Sequence, residues 1–150
     1  MSRFAQSLYT IAITLWVGGQ WAIGYMVAPT LFAKLGDRSL AGNMAGQLFA
    51  IISWVGIGCA AYLMVYLFFS KGAAALKSSV FWLVLIMLLI TLAGHFGVQP
   101  ILAQLKLEAL PREVMDSLLR DRFATWHGIS SVLYLLQSVL GVMLVLRQNR

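Results

Sequence analysis

His95 and His127 are the only side chains able to change charge near neutral pH inside four long stretches of this sequence that carry no charged residue. Two imidazoles in such surroundings offer three kinds of chemistry: a metal pair, the axial ligands of a haem, or a proton relay. His127, Ser131, Tyr134, Ser138 and Gly141 recur every three or four residues and so share one helix face. The same holds for Thr91, His95 and Gln99, and for Gln6, Thr10, Thr14 and Gly18. Polar groups in hydrocarbon need partners, so these faces should turn towards one another. The plainest arrangement has each histidine hydrogen-bonded across the helices to a hydroxyl, carbonyl or Gln. Two histidines alone make an incomplete zinc set, with no acidic or cysteine ligand nearby. Copper could recruit methionine, but Met26, Met44 and Met87 have no ligand-like spacing. No cofactor is predicted, with haem or copper on His95 and His127 as the alternatives.

The stretches that hold these residues lie between Arg3 and Lys34, Arg38 and Lys71, Lys77 and Lys106, and Arg122 and Arg147. Each exceeds the roughly 20 apolar residues that cross about 30 Å of hydrocarbon. The pattern predicts four membrane spans, at about 4–32, 40–69, 79–102 and 123–146. Pro29 should end or kink the first and Pro100 should interrupt the third. Ser39 is a suitable N-cap for the second. Between spans three and four, Leu107, Leu110, Val114 and Leu118 recur at helical spacing. Glu108/Arg112 and Asp116/Arg120 are favourable i,i+4 pairs, and Pro111 suits a first helical turn. A short amphipathic helix over about 107–120 is expected at the membrane surface, or docked on a partner.

Depth brings the two histidines together. His95 lies 16 residues beyond Ser79, roughly 24 Å at about 1.5 Å per residue. His127 lies 19 residues before Leu146, roughly 28 Å on the same rise. If spans three and four run antiparallel, both sit towards the surface that carries the 103–122 connection. Gln20, Trp21, Gln47, Gln99 and Trp126 fall in the same layer. A binding pocket of His95, His127, Gln99, Gln20, Gln47, Ser131, Tyr134 and Trp126 is the resulting expectation.

At 61% hydrophobic and 11% charged residues, the 150-residue chain suggests one all-α membrane domain, an up-and-down four-helix bundle in contact with the lipid bilayer. The net charge of +6 comes from cations at span ends rather than a stripe that could track phosphates, which argues against nucleic acid. Gly42 and Gly46 form a small-residue row continued by Gly56 and Ala60; Gly97 does the same in span three, and Gly18 and Gly19 lie in span one. Such rows permit close helix packing within the bundle, in a homodimer or in a larger membrane complex. Cys59 is read as a small packing residue. The first apolar stretch is too long for a signal-peptide core, so insertion through an uncleaved helix is expected. The terminal side would hold Arg3, Lys71, Lys77, Arg147 and Arg150 with no acid, whereas the other side carries six basic and five acidic residues. This favours cytoplasmic termini in a bacterial inner membrane.

Catalytic sets are missing. No carboxylate or lysine lies deep in a span, no Ser/His/Asp arrangement is evident, and Gly18-Gly19 has no phosphate-loop lysine after it. The favoured reading is a non-enzymatic accessory or small-solute/metal-handling bundle. A haem-binding oxidoreductase ligated by His95 and His127, and a metal-ion permease, are the alternatives.

Leu15-Trp16-Val17-Gly18-Gly19, Ala28-Pro29-Thr30-Leu31-Phe32, and the run Ala41 to Phe49 carry a further signal, together with Pro100, Phe123 and His127-Gly128-Ile129-Ser130-Ser131. Together they resemble a family of small four-span membrane proteins of unknown function that includes relatives of human transmembrane protein 205. The likeness covers nearly the whole chain and is most specific at the His127 motif. It implies a four-span fold and hints at transport or trafficking. The family pattern tends to have asparagine two turns after the motif histidine, where this chain has Tyr134.

Overall fold

The computed structural model describes residues 3–110 and 113–148. Among these the chain is entirely helical, without a strand. Six α-helices follow in order: α1 (Arg3–Trp21), α2 (Ala28–Lys34), α3 (Arg38–Lys71), α4 (Ser79–Leu92), α5 (Gln99–Ala109) and α6 (Arg120–Arg147). Two of the joins are widened π-helical turns rather than loops, Ala22–Val27 between α1 and α2 and Ala93–Val98 between α4 and α5. The result is four long helices, Arg3–Lys34, Arg38–Lys77, Ser79–Ala109 and Arg120–Arg147, each long and apolar enough to cross a membrane. Large apolar side chains such as Ile11, Leu15, Val65, Phe69, Leu89 and Leu146 are exposed on their outer faces. In water such a surface would be a liability; in lipid it is the contact surface.

The prolines mark interruptions of the α-helix, as the sequence suggests, but they do not end the long helices. A helical proline removes one backbone donor and its ring clashes with the carbonyl four residues back. For Pro29 that residue is Tyr25 and for Pro100 it is Phe96, and both belong to the π-helical turns. The wider turn moves the offending carbonyl aside, and the helix continues to Lys34 in one case and Ala109 in the other.

Two other local expectations are corrected. The cap of α3 is Asp37, whose carboxylate accepts from the Ser39 and Leu40 backbone N–H groups at 2.8 and 3.0 Å. Ser39 already lies inside the helix. The stretch 107–120 is not one amphipathic helix among the described residues; Pro111 and Arg112 lie outside them. α5 ends at Ala109, Leu110 turns extended (ψ 145°), and a single 3₁₀ turn covers Val114–Asp116. A residue that precedes proline is driven out of the helical region, which stops α5 at Leu110 despite the apolar periodicity.

α1 packs on α3 and α6, α3 on α4, and α4 on α6. The buried face of α1 is Tyr9, Ala12, Ile13, Trp16, Val17 and Gln20, a spacing of three and one that makes one stripe. Its apolar members join Cys59, Ala60, Leu63, Leu67, Val80, Val84, Met87 and Leu144 in a continuous core. That core occupies the half of the molecule nearest the 72–78 turn. Tyr9 packs on Tyr66 with the rings tilted by 32° and their centroids 4.6 Å apart, and the Tyr62 hydroxyl donates to the Ala5 carbonyl at 2.9 Å. The turn itself depends on Gly72, the one described residue with positive φ (56°), and is anchored by Trp82 Nε1 donating to the Leu76 carbonyl. The other half of the molecule is built differently, because both π-helical turns lie there.

Candidate functional site

A cavity of about 420 Å³ opens where the packed core stops. All four long helices contribute to it. It begins at the level of Trp16, Thr91 and Gln137 and extends towards Phe32, Gln99 and His127. Gly24, Tyr25, Ala28 and Pro29 from the first π-helical turn and its continuation form one wall, and Gly94 from the second lines another. π-helical turns recur at functional sites because the widened turn re-aims side chains and frees backbone groups.

The first wall is held by Tyr134. Its hydroxyl donates to the Gln20 carbonyl, and its ring meets Tyr25 and Phe49 edge-on with centroids 6.0 and 5.2 Å away. Gly24 lies against this ring so closely that a Cβ there would overlap it. Tyr25 donates in turn to Ser138 Oγ at 2.9 Å, and Ser138 donates to the Tyr134 carbonyl at 2.8 Å. At the deep end, Gln137 Nε2 donates to Thr91 Oγ1 at 2.8 Å while Thr91 donates to the Met87 carbonyl at 2.9 Å.

Two polar atoms break this pattern of satisfaction. Gln20 and Gln137 are 4% and 5% exposed. Gln20 Nε2 and Gln137 Oε1 are buried and have no hydrogen-bond partner. Both side chains line the cavity. An unpaired buried donor or acceptor costs about 1–3 kcal/mol, so a pair of them at one cavity is expensive unless something binds there.

Of the sequence-derived pocket residues, Gln20, Gln99, His127, Ser131 and Tyr134 line the cavity; His95, Gln47 and Trp126 do not. His95 packs edge-on against Trp54 and Phe96, with centroids 5.2 and 4.7 Å away, and its Nδ1 is buried without a partner. His127 is exposed and stacks on Phe123 with the ring planes 10° apart. Among the described residues no ring contact or hydrogen bond joins the two imidazoles, and no three His, Cys, Asp or Glu side chains group as metal ligands would. The row Thr91, His95, Gln99 presumes one α-helical period throughout. The π-helical turn at 93–98 interrupts that period, so Thr91 and Gln99 line the cavity while His95 turns to Trp54.

Among the small residues, Gly56 lies against the Trp16 indole, Gly19 against Ile52 and Gly42 near Lys106 and Phe32, and Ala60 is fully buried. At Gly18, Gly46 and Gly97 a Cβ would meet nothing within 4 Å among the described residues. Sequence reasoning missed Gln137, Tyr25 and Ser53. Gln137 carried a usable signal: an amide in the middle of a charge-free span is as unusual there as a histidine.

Residues 11–111 match the family model described as a domain of unknown function, DUF4149. No curated protein and no solved structure matches the chain.

Proposed function

Because the chain belongs to the DUF4149 family of unknown function, we propose a role from the cavity itself: a non-enzymatic membrane accessory protein that binds a small organic solute between its four helices. The proposal includes an up-and-down bundle in a bacterial inner membrane with cytoplasmic termini. Contacts that join the start of one long helix to the far half of the next support the bundle, as Ala5 with Tyr62 and Gly42 with Lys106 do. The uneven loop charges support the orientation. The likeness of the His127 motif to relatives of transmembrane protein 205 fits a transport or trafficking role.

One observation carries the reading: the buried amides Gln20 and Gln137 both line the cavity, and each holds a buried polar atom with no hydrogen-bond partner. A mostly apolar cavity with a few convergent polar groups is the usual form of a small-molecule site. The solute would accept from Gln20 and donate to Gln137. His127, Ser131 and Gln99 would line the path towards the opposite surface from the termini.

The test is to purify the protein in mild detergent, extract it with organic solvent, and compare the small molecules by mass spectrometry with those from Gln20→Leu and Gln137→Leu. We expect a molecule recovered near stoichiometrically from the unaltered protein and reduced at least tenfold in each variant. Equal recovery from all three proteins, or no enriched molecule in any, would overturn the reading.

A further inference from the structure

Resting on that reading, we infer that the solute is an uncharged amphiphile dissolved in the bilayer, and that it enters sideways through a mouth between α2 and α6. α1 packs against α6, but beyond the first π-helical turn α2 packs instead on α3. The two helices that close the cavity deep in the bundle therefore part company towards its other end. Tyr25, which donates to Ser138 and packs on Tyr134, closes the deep end of this parting; the lining residues exposed along it are Pro29 and Phe32 on one side and His127, Ser131 and Leu135 on the other. They run along facing helix edges at three- and four-residue steps, as the two rims of a groove must. Leu136, Val139 and Val142 continue the exposed apolar surface of α6 beyond it. The groove therefore opens onto lipid rather than only onto water at the helix ends.

Hydrogen bonding orients the occupant. Near the mouth, Ser131 already donates to the His127 carbonyl at 2.9 Å, and along α3 Ser53 donates to the Phe49 carbonyl at 2.7 Å. These hydroxyls are engaged by their own helices. The unpaired donor and acceptor belong to Gln20 and Gln137, whose side chains are the buried ones. The occupant's polar head thus goes inwards and its apolar chain outwards. No Lys, Arg, Asp or Glu lines the cavity among the described residues, and the lining imidazole, His127, stands at the mouth rather than beside Gln20 and Gln137, so nothing at the inner end neutralises a fixed charge on that head. One donor and one acceptor left open call for a head that carries both, such as a hydroxyl or a carboxamide.

The experiment places the protein in phosphatidylcholine vesicles with a monoacylglycerol bearing a diazirine in its acyl chain, and with the fatty acid of the same chain at pH 8. After photolysis, labelled peptides are mapped and quantified by mass spectrometry. The neutral probe should label peptides from α2 and α6, and unlabelled 1-oleoylglycerol should compete. Labelling should fall at least tenfold in Gln20→Leu/Gln137→Leu and at least fivefold in Leu135→Trp, which blocks the mouth from an exposed position. Val139→Trp, on the same helix but outside the cavity lining, should label normally and so control for folding. The anionic probe should label at least tenfold less than the neutral one. Equal labelling by the two probes, or neutral labelling untouched by the Gln and Leu135 substitutions, would overturn the inference. If the neutral probe fails while a co-purified molecule is still lost from the Gln variants, the sideways amphiphile is wrong and the solute-binding reading stands. If that molecule is absent as well, both fall.

Discussion

A single methyl group added at position 24 should unfold the cavity wall, whereas the same methyl group six residues earlier should do nothing. A Cβ on Gly24 would overlap the Tyr134 ring at its Cε1, Cζ and hydroxyl positions, while one on Gly18 would meet nothing within 4 Å. Accommodating Gly24→Ala requires the ring to move, and ring movement breaks its hydrogen bond to the Gln20 carbonyl. Forced overpacking typically costs about 1–3 kcal/mol. Losing the hydrogen bond and stranding a partly buried carbonyl adds about 1–2 kcal/mol. Replacing glycine by alanine in a helix returns up to about 1 kcal/mol. The balance is a destabilisation of about 1–4 kcal/mol for Gly24→Ala. Gly18→Ala keeps only the helix term and should be neutral or stabilising by up to about 1 kcal/mol. Reversible unfolding in mixed micelles, followed by far-UV circular dichroism, measures both. Combining Gly24→Ala with Tyr134→Val, which removes the obstructing ring, should recover part of the loss. If Gly24→Ala and Gly18→Ala unfold alike, the reasoning from ring contact is wrong.

The other expectations are smaller. Asp37→Ala removes two hydrogen bonds to the start of α3 and should cost about 1 kcal/mol in the same unfolding assay, whereas Ser39→Ala should cost less than about 0.5 kcal/mol. His127→Ala should lower recovery of the bound molecule in detergent extracts, because His127 lines the cavity. His95→Ala should leave recovery within about twofold, since its ring contacts are with Trp54 and Phe96. Gly56→Ala should alter the fluorescence of Trp16, whose indole a new Cβ would press, and should lower stability by about 1–2 kcal/mol.

Much of the architecture is legible in the sequence because one constraint dominates it. Charged residues are excluded from the spans, so the gaps between Arg3, Lys34, Arg38, Lys71, Lys77 and Lys106 delimit the long helices directly. Helix ends are less legible, since Pro29 and Pro100 are breakers only while the preceding turn stays α-helical, and no composition rule announces a π-helical turn. The same turns limit what periodicity says about the site. Gln20, Ser131 and Tyr134 lie in uninterrupted α-helix, where their period holds, and they reach the cavity. His95 lies inside a widened turn, where the row with Thr91 and Gln99 loses its phase. Depth along a helix could be counted from sequence; direction around it could not be carried through a widened turn.

Whether Gln20 and Gln137 serve a ligand or the fold is decided by the stability of Gln20→Leu/Gln137→Leu in detergent stripped of bound molecules. Amides kept for binding are a burden on the empty protein, so their replacement by leucines of similar volume should leave stability equal or raise it by about 1–2 kcal/mol. Adding back the organic extract of the unaltered protein should stabilise that protein and leave the double variant unmoved. A double variant at least about 2 kcal/mol less stable than the stripped parent, or one that the extract stabilises equally, would mean that the two amides hold the bundle together and that the cavity is not a binding site.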